Sequence, residues 1–319
     1  NTVSRALRGD TGISEATRVK VRQTAQEMGY IRNHLAATMR SGRSNLISII
    51  VDDIGNPYYA ALIDEMNAAL KENSYRTMTL CTRTRPDEML EMANLSIANY
   101  VDGILYFPCS DDTHAVKLIQ KARIPLVLIG RAVEGAPADV VRFDDYQGGV
   151  LAAERLYEAG HRKFAYMCGP GRNGAQPFRR KGFVERLVQC GVKASDITVI
   201  EEEVISGAIR DKRFMDALLP VDYTGIFAFN DQIAYHAMNA LREYGCRVPE
   251  DVSVIGFDHM RGFLHYLQPL TSIAGGQAAE LARRSAALLM RRIQEPDVPF
   301  VSEILPVILH EGESTVAKL

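Results

Sequence analysis

One glycine-rich segment of the sequence has the spacing of a nucleotide-binding loop. Residues 169–174 read GPGRNG, which matches the GxGxxG pattern and directly follows the apolar run KFAYMC. In a dinucleotide-binding enzyme the helix begins within this motif, so that its N-terminus meets the pyrophosphate. Here Pro177 delays the predicted helix, and the acidic run 201–203 comes later than the roughly twenty-residue offset expected of a ribose-binding carboxylate. The segment is therefore weak evidence for a dehydrogenase.

No other pattern in the sequence indicates catalysis. The GxSxG motif of serine hydrolases, the HExxH motif of zinc peptidases and the P-loop motif are absent, and no group of histidines and cysteines has metal-ligand spacing. The five cysteines lie far apart without a CxxC pair, which is typical of reduced thiols in a core. The sequence thus predicts a protein that is not an enzyme and that needs neither a cofactor nor a metal.

Basic residues are concentrated at the start of the chain. Residues 1–45 contain eight basic and three acidic side chains, which leaves 29 basic and 36 acidic side chains for the remainder. A cationic head on an acidic body favours a polyanionic partner, and nucleic acid is the commonest one. An accidental cluster of charge on a solvated surface is the alternative interpretation.

The composition predicts a globular protein located in the cytoplasm. With 319 residues, of which 47% are hydrophobic and 24% charged, the chain can build a small module and a large domain with buried cores. No stretch approaches the roughly 18 consecutive apolar residues of a membrane span, and charges occupy the place where a signal peptide needs its apolar run. We therefore expect no membrane partner.

Three short helices are predicted in the basic head. The first is stopped by Gly9, Ser14 can cap a second helix over 15–28, and Asn33 can cap a third over 34–40. A helix as short as the third is marginal in water, because nucleation costs more than so few backbone hydrogen bonds return. We expect it to form only when two copies pack together on a partner.

From Leu46 onward, short apolar runs alternate with helical stretches. Predicted strands lie in LISIIV, YRTMTLCT, VDGILYF and IPLVLIG, and a second series follows in KFAYMC, ITVIEEEV, YTGIFAF and VSVIGF. Predicted helices cover 57–72, 87–99, 112–122, 177–189, 209–219 and 231–244. The alternation predicts parallel sheets with right-handed crossovers. Two such series predict two lobes, joined near Asp144 and Gly275, with a cleft at the carboxyl ends of their strands.

Motifs along almost the whole chain resemble those of one protein family. They are TVSRALRG, ISEATRVKV, EMGYIRN and LAATMRSGRSN in the head, and IGNPYYAAL, VDGILYF, GHRKFAYMCGP, FRRKGF, FAFNDQIAYHAM, RVPEDVSVIGFDH and LQPLTSI beyond it. Together they make the chain similar to the LacI/GalR family of transcription repressors. The resemblance implies an α/β protein with a helix-turn-helix headpiece, truncated here, a hinge helix, and a two-lobed domain like a periplasmic binding protein with parallel sheets. It also implies a homodimer that binds near-palindromic operator DNA and a small-molecule effector.

The same motifs imply the domain boundaries. Residues 1–32 would form the partial headpiece, 33–45 the hinge helix and linker, and 46–319 the effector-binding and dimerisation domain. Lobe 1 would take about 46–144 and 276–302, and lobe 2 about 145–275 and 303–319. Relatives have a further helix and the turn before this start, so we expect the 319-residue chain to bind operator poorly by itself.

The resemblance places DNA contacts on the recognition helix and the hinge. Thr2, Ser4 and Arg5 would face the major groove, where Arg5 can pair with guanine or phosphate. Met39 would insert into the minor groove as an apolar wedge that kinks the duplex. The remaining expected contacts are Asn33, His34, Ala36 and Arg40. Alternatively, Thr2 and Ser4 only begin a helix, and Met39 packs within the hinge.

The resemblance also places an effector site in the cleft. The expected residues are Asp53, Tyr58, Tyr59, Arg131, Asn173, Arg179, Asn230 and Asp258. Aromatic rings can stack on a sugar or a base, and the polar groups donate and accept in pairs, as vicinal hydroxyls require. Alternatively, the two tyrosines are core residues, Asn230 is a helix cap like Asp231, and Asp258 lies in an exposed turn.

The charges near this site favour an acidic effector. Gly130 stands where relatives often have an aspartate, and Arg131, Arg172 and Arg179 are the nearby arginines, so we expect an acidic sugar or a sugar phosphate in preference to a neutral sugar. The predicted function is transcription regulation controlled by a sugar, sugar acid or sugar phosphate. The alternative is a solute-binding protein of the same fold, which would need a signal peptide in place of the basic head.

Overall fold

The computed structural model of the chain divides into two units, residues 1–44 and 45–319. It describes residues 2–8, 11–30, 42–169, 174–201, 218–260, 268–276 and 279–317. Among these residues, no helix is both long and apolar enough to cross a membrane.

The N-terminal unit contains α1 (Thr2–Arg8) and α2 (Glu15–Glu27). The Ser14 hydroxyl accepts a hydrogen bond from the backbone N–H three residues later, so Ser14 caps α2 as predicted. Gly29 follows the helix with φ 61°, a left-handed conformation that favours glycine. Ala6 of α1 is fully buried, while no residue of α2 is. The helix predicted over 34–40 lies outside the described residues.

The larger unit alternates strands and helices. In chain order its elements are β1 (Leu46–Val51), α3 (Pro57–Glu72), β2 (Arg76–Cys81), α4 (Pro86–Ala98), β3 (Gly103–Tyr106), α5 (His114–Lys121), β4 (Leu126–Ile129), β5 (Asp139–Phe143), α6 (Asp145–Glu158), β6 (Phe164–Met167), α7 (Gln176–Gln189), β7 (Ile197–Ile200), β8 (Gly225–Ala228), α8 (Asp231–Glu243), β9 (Ser253–Phe257), β10 (Thr271–Gly275), α9 (Glu280–Gln294), β11 (Ser302–Leu305) and β12 (Val307–His310). The helix predicted over 209–219 falls almost entirely outside the described residues.

Two six-stranded sheets form the two lobes, as predicted. The first has the order β11-β5-β4-β3-β1-β2 with every pair parallel, and the second has the order β12-β10-β9-β8-β6-β7. The central strands β3, β4, β6, β8 and β9 are buried along their whole length, as expected where helices cover both faces of a sheet. Strand β12 departs from the parallel pattern, because only Pro306 separates it from β11 and no crossover helix can reverse its direction.

The chain crosses between the lobes three times. The first crossing follows β5 at Asp144, and the second follows β10 after Gly275, both where the sequence predicted them. The third lies at Pro306, between β11 of the first sheet and β12 of the second. The expected division between residues 302 and 303 was therefore too early, because β11 pairs with β5 and belongs to lobe 1.

Candidate ligand-binding cleft

The two lobes enclose a cleft at the carboxyl ends of their strands. It contains two small chambers, of about 70 and about 60 Å³, which share Asp52, Tyr58, Tyr59 and Arg179. The first chamber is also lined by Asp53, Asn56, Thr84, Phe229, Asn230, Gln232 and Asp258. The second is also lined by Phe107, Pro108, Ile129, Gly130, Arg131, Phe143, Asp145, Ala175 and Leu281. The cleft thus brings together seven of the eight expected effector residues, and the eighth, Asn173, lies outside the described residues.

Arg179, which lines both chambers, is fixed by polar and aromatic contacts. It lies in the first turn of α7, a helix that has Pro177 at its start. Its Nε donates a hydrogen bond to Asp145 Oδ1 over 2.8 Å, and its Nη1 donates to the Phe229 carbonyl oxygen over 2.6 Å. The guanidinium carbon lies 3.4 Å from the centroid of the Phe257 ring. Nη2 makes no hydrogen bond with the described residues, so donors remain for a ligand.

The partner of Arg179 is a carboxylate that the sequence interpretation did not include. Asp145 is the first residue of α6, and burial raises its pKa although Arg179 opposes the increase. Burial alone lowers the pKa of Arg179, but Asp145 and Asp258 outweigh this effect and the net pKa is raised. The result is a buried ion pair, and removal of either side chain would leave an uncompensated charge.

A close crossing of α6 and α7 positions this ion pair. A methyl group on Gly149 would lie 2.1 Å from the Arg179 carbonyl oxygen, and one on Gly182 would lie 2.0 Å from the Tyr146 carbonyl oxygen. Both obstacles are backbone atoms, so they cannot move aside by side-chain rotation. The two glycines therefore let the helices approach until Asp145, at the start of α6, reaches Arg179.

Helix α3, which follows β1, places two tyrosines in the cleft. Asn56 caps α3, because its Oδ1 accepts a hydrogen bond from the Tyr58 N–H over 3.0 Å. The Tyr59 ring is buried edge-on against Phe107, with centroids 5.3 Å apart, so the core interpretation holds for its ring. Its hydroxyl, however, bonds the carboxylate of Asp52. Tyr59 is thus both a core residue and part of the cleft.

Asp52 is the second carboxylate that the sequence interpretation missed. It directly follows β1, is 5% exposed, and leaves Oδ1 buried without a hydrogen-bond partner among the described residues. Burial raises the pKa of Asp52 to about 6, although the hydrogen bond from Tyr59 acts in the opposite direction. Its neighbour Asp53, which was predicted, uses Oδ1 to accept a hydrogen bond from the Gly55 N–H over 2.8 Å. A pair of consecutive aspartates after a buried strand was the signal available in the sequence.

Lobe 2 adds Asn230 and Asp258 to the first chamber. Asn230 caps α8 by accepting a hydrogen bond from the Ile233 N–H over 2.9 Å, so the capping interpretation and a place in the cleft both hold. Asp258 follows β9 with φ 107°, and burial raises its pKa well above the ordinary value while Arg179 opposes the increase. It lines the chamber instead of lying in an exposed turn.

The expectation that Asp231 caps α8 was wrong. Its Oδ2 accepts a hydrogen bond from the Met260 N–H over 2.7 Å, and its Oδ1 accepts one from the Ser272 hydroxyl over 2.5 Å. The cap position is occupied by Asn230, one residue earlier. Asp231 instead ties the start of α8 to the segment after β9 and to the start of β10.

Arg131 lies at the junction of the second chamber and a larger outer cavity of about 750 Å³. Its guanidinium pairs with Asp111, and a methyl group on Gly174 of the opposite lobe would lie 2.5 Å from its Nε. Arg179 is likewise paired with a carboxylate, and Arg172 lies outside the described residues. Two of the three cations behind the expected acidic effector are therefore already neutralised by the protein.

The remaining sequence-predicted residues belong to the glycine motif and the head. Helix α7 begins at Gln176, after the motif at 169–174, which confirms that the helix does not start within it. Thr2 and Arg5 are exposed on α1, and Ser4 lies on the same helix. The contacts expected of the hinge lie outside the described residues; they are Asn33, His34, Ala36, Met39 and Arg40.

The fold and the cleft define a two-lobed ligand-binding domain of the periplasmic-binding-protein type. Residues 153–315 match the periplasmic binding protein-like domain, and residues 1–33 match the bacterial regulatory proteins of the lacI family. The transcriptional regulator DegA of Bacillus subtilis is 32% identical over 278 residues, which cover 86% of this chain and 82% of DegA. The transcriptional regulator CelR of Thermobifida fusca is 31% identical over 324 residues, which cover 98% of this chain and 94% of CelR.

A solved structure agrees with these relatives. The LacI family transcriptional regulator from Enterococcus faecium, with bound ribose, is 28% identical with a TM-score of 0.76, and the match covers 86% of this chain and all of that one. The chain belongs to the lacI family of bacterial regulatory proteins, and it is a transcription regulator with a DNA-binding head and a ligand-binding body.

Proposed function

We propose that the chain is a cytoplasmic repressor that acts as a homodimer on a near-palindromic operator, and that a carbohydrate-like effector in the cleft controls its affinity for DNA. The cleft carries the proposal. Asp52 and Tyr58 from lobe 1 and Arg179 and Asp258 from lobe 2 line one chamber, in a chain whose first 33 residues match a DNA-binding family.

Control of DNA binding follows from contacts on both lobes. A ligand that touches both lobes favours the arrangement in which they are closed, and it can shift the equilibrium only by its difference in affinity for the two arrangements. Paired donors and acceptors suit vicinal hydroxyls, and the Enterococcus faecium relative binds ribose. The effector therefore acts by changing the lobe arrangement, which sets whether two heads can occupy two half-sites.

The test measures DNA affinity with and without effector. An operator is selected from random DNA with the full-length gene product, and affinity is measured by fluorescence anisotropy in the presence of pentoses, hexoses and disaccharides. At least one compound should change operator affinity by about fivefold or more, the lower end of typical coupling. Unchanged affinity with every compound that binds the protein would contradict the proposal. Ligand binding without DNA binding at any salt concentration would support a solute-binding protein instead.

A variant separates the cleft from the head. The Asp258 carboxylate makes no hydrogen bond with the described residues, so Asp258→Asn removes a ligand contact without breaking a bond within them. This variant should keep operator affinity and lose the response to effector. Asp297→Asn, at an exposed position between α9 and β11, is the matched control and should behave like the parent protein.

A further inference from the structure

The turn that follows β9 carries backbone strain at the edge of the cleft. Asp258 and His259 have φ 107° and 52°, both in the left-handed region that residues other than glycine rarely adopt. Such conformations persist only where the surrounding structure determines them, and they recur at sites that hold a ligand. Because Asp258 lines the first chamber, the strained backbone sets where its carboxylate lies.

Two buried side chains hold the backbone of this turn. The His259 N–H donates a hydrogen bond to Ser272 Oγ over 3.0 Å, and the Met260 N–H donates to Asp231 Oδ2 over 2.7 Å. The Ser272 hydroxyl in turn donates to Asp231 Oδ1 over 2.5 Å. Both acceptor side chains are buried, where such hydrogen bonds are strong. We call this pair the Asp231–Ser272 clamp.

The clamp lies behind the chamber and not in its wall. Asp231 begins α8 and Ser272 lies in β10, and neither belongs to the residues that line the two chambers. A methyl group on Gly256 would lie 2.2 Å from Asp231 Oδ1, so this glycine lets the carboxylate approach β9. The clamp thus reaches a ligand through the turn that carries Asp258.

We infer that Asp231 and Ser272 are positioning residues, which fix the strained turn after β9 and so hold the Asp258 carboxylate in the effector chamber. The inference rests on the proposed function, because Asp258 has this role only if the cleft binds the effector. Loss of the clamp should lower effector affinity although no contact with the effector is removed.

Ser272→Ala is the variant that tests the clamp. It removes the hydroxyl but no charge, whereas a substitution of Asp231 also alters the effect of its carboxylate on the pKa of Asp258. Ser253→Ala is the matched control, because Ser253 is also buried in lobe 2 and its Oγ accepts the Val316 N–H over 3.1 Å. Ser253 begins β9, at the opposite end from Asp258. Urea unfolding should show a similar loss of stability in both variants, since each loses one buried hydroxyl.

Hydrogen exchange followed by mass spectrometry reports on the turn without any ligand. In Ser272→Ala the amides of 258–260 should exchange at least about fivefold faster than in the parent protein, because the turn opens locally. In Ser253→Ala their exchange should stay within about twofold of the parent rate. Asp231→Asn, which replaces one acceptor oxygen of the clamp by an amide donor, is the second variant and should change exchange in the same direction as Ser272→Ala. Unchanged exchange in both folded clamp variants would overturn the inference.

Calorimetry with the pentoses, hexoses and disaccharides of the operator experiment measures the consequence for binding. For a compound that the parent protein binds, affinity should fall about tenfold in Ser272→Ala and by less than about twofold in Ser253→Ala. Equal affinity of Ser272→Ala and the parent protein would overturn the inference and leave the proposed function intact.

A crystal structure of Ser272→Ala decides the inference if the parent protein binds none of these compounds, a result that would count against the proposed function. The Asp258 carboxylate should then leave the position that it has in the parent protein. A carboxylate that stays in place would overturn the inference.

Discussion

Asp52 shows how one carboxylate of the cleft can cost stability. Its carboxylate is buried with one oxygen unpartnered, and burial raises its pKa from 3.8 to about 6. Such an increase is equivalent to about 3 kcal/mol of penalty on the ionised form in the folded protein. The penalty is absent below about pH 3, where the carboxyl is protonated in both folded and unfolded chains, and it is nearly complete above about pH 7.

The pH dependence of stability should therefore change in Asp52→Asn. At pH 8 the free energy of unfolding of the variant should exceed that of the parent protein by about 2 kcal/mol, because the amide avoids most of the ionisation penalty. At pH 4 most of the difference should be lost, because the carboxyl of the folded protein is protonated and that of the unfolded chain is only about half ionised. Urea unfolding at both pH values measures this, with Asp297→Asn as the control. Parallel profiles for the parent and Asp52→Asn proteins would show that the burial of Asp52 carries no such penalty.

At the scale of elements, the α6–α7 crossing links packing to the cleft. The backbone of one helix occupies the space that a side chain on the other would need, at both Gly149 and Gly182. The same two helices carry Asp145 and Arg179 into the cleft. A change that separates the helices should therefore disturb both stability and ligand binding.

Gly149→Ala should destabilise the protein by about 2–3 kcal/mol, because its methyl group overlaps backbone atoms that cannot rotate away. Effector affinity should fall as well, since Arg179 moves with α7. Denaturant unfolding and calorimetry give the two values. Gly276→Ala is the control: the site is exposed, and a methyl group there would meet only Ile308 at 4.0 Å. If Gly149→Ala and Gly276→Ala had equal effects, the close crossing of α6 and α7 would not be the cause of the lost stability.

A buried ion pair closes one edge of lobe 1. Arg292, in the last turn of α9, donates to both oxygens of Asp139 over 2.6 and 3.0 Å, and also to three carbonyl groups within 296–299. Asp139 begins β5 and is fully buried. The pair thus joins α9 to β5 and to the segment that leads into β11.

Arg292→Met should lower the free energy of unfolding by about 3–5 kcal/mol, because it leaves the Asp139 carboxylate buried without its cation. The neighbouring Arg291 pairs with Glu295 over 3.7 Å at the surface, so Arg291→Met should cost no more than about 1 kcal/mol. Unfolding in urea compares the two methionine variants directly. Similar losses would mean that the buried pair is not the element that holds this edge.

At the scale of the whole molecule, the head and the body differ in charge. Eight basic side chains in the first 45 residues suit the phosphate backbone, and the body carries the acidic excess and the cleft. Phosphate contacts release counterions, so binding to operator must weaken as salt rises. If effector binding in the cleft controls DNA binding, effector and operator must change each other's affinity by the same factor.

Linkage therefore predicts a reciprocal pair of measurements. The factor by which effector changes operator affinity should equal the factor by which operator changes effector affinity at the same salt concentration. Titrations of the full-length gene product from 50 to 300 mM salt should also show log affinity for DNA falling linearly with log salt, with a slope on the order of −5 or steeper. Unequal factors, or salt-independent DNA binding, would contradict control of the head by the cleft.

The sequence alone determined the class of fold, because that information is local. Helix 57–72 was predicted with the bounds it has, and the alternation of apolar runs with helical stretches predicted two parallel sheets. Strand 139–143 was missed for a physical reason: its charged Asp139 interrupts the apolar pattern. The partners that make its burial possible, Arg292 and the Val301 N–H, lie far along the chain.

Only the tertiary structure decided which carboxylates of the cleft are buried and which are paired. Consecutive aspartates 52 and 53 look equivalent in sequence, yet only the first is buried with an unpartnered oxygen, because the end of β1 and the Tyr59 ring enclose it. Asp145 became the partner of Arg179 through a helix crossing that depends on two glycines. Burial, pairing and pKa depend on atoms from distant parts of the chain, so they emerge only when both lobes are folded.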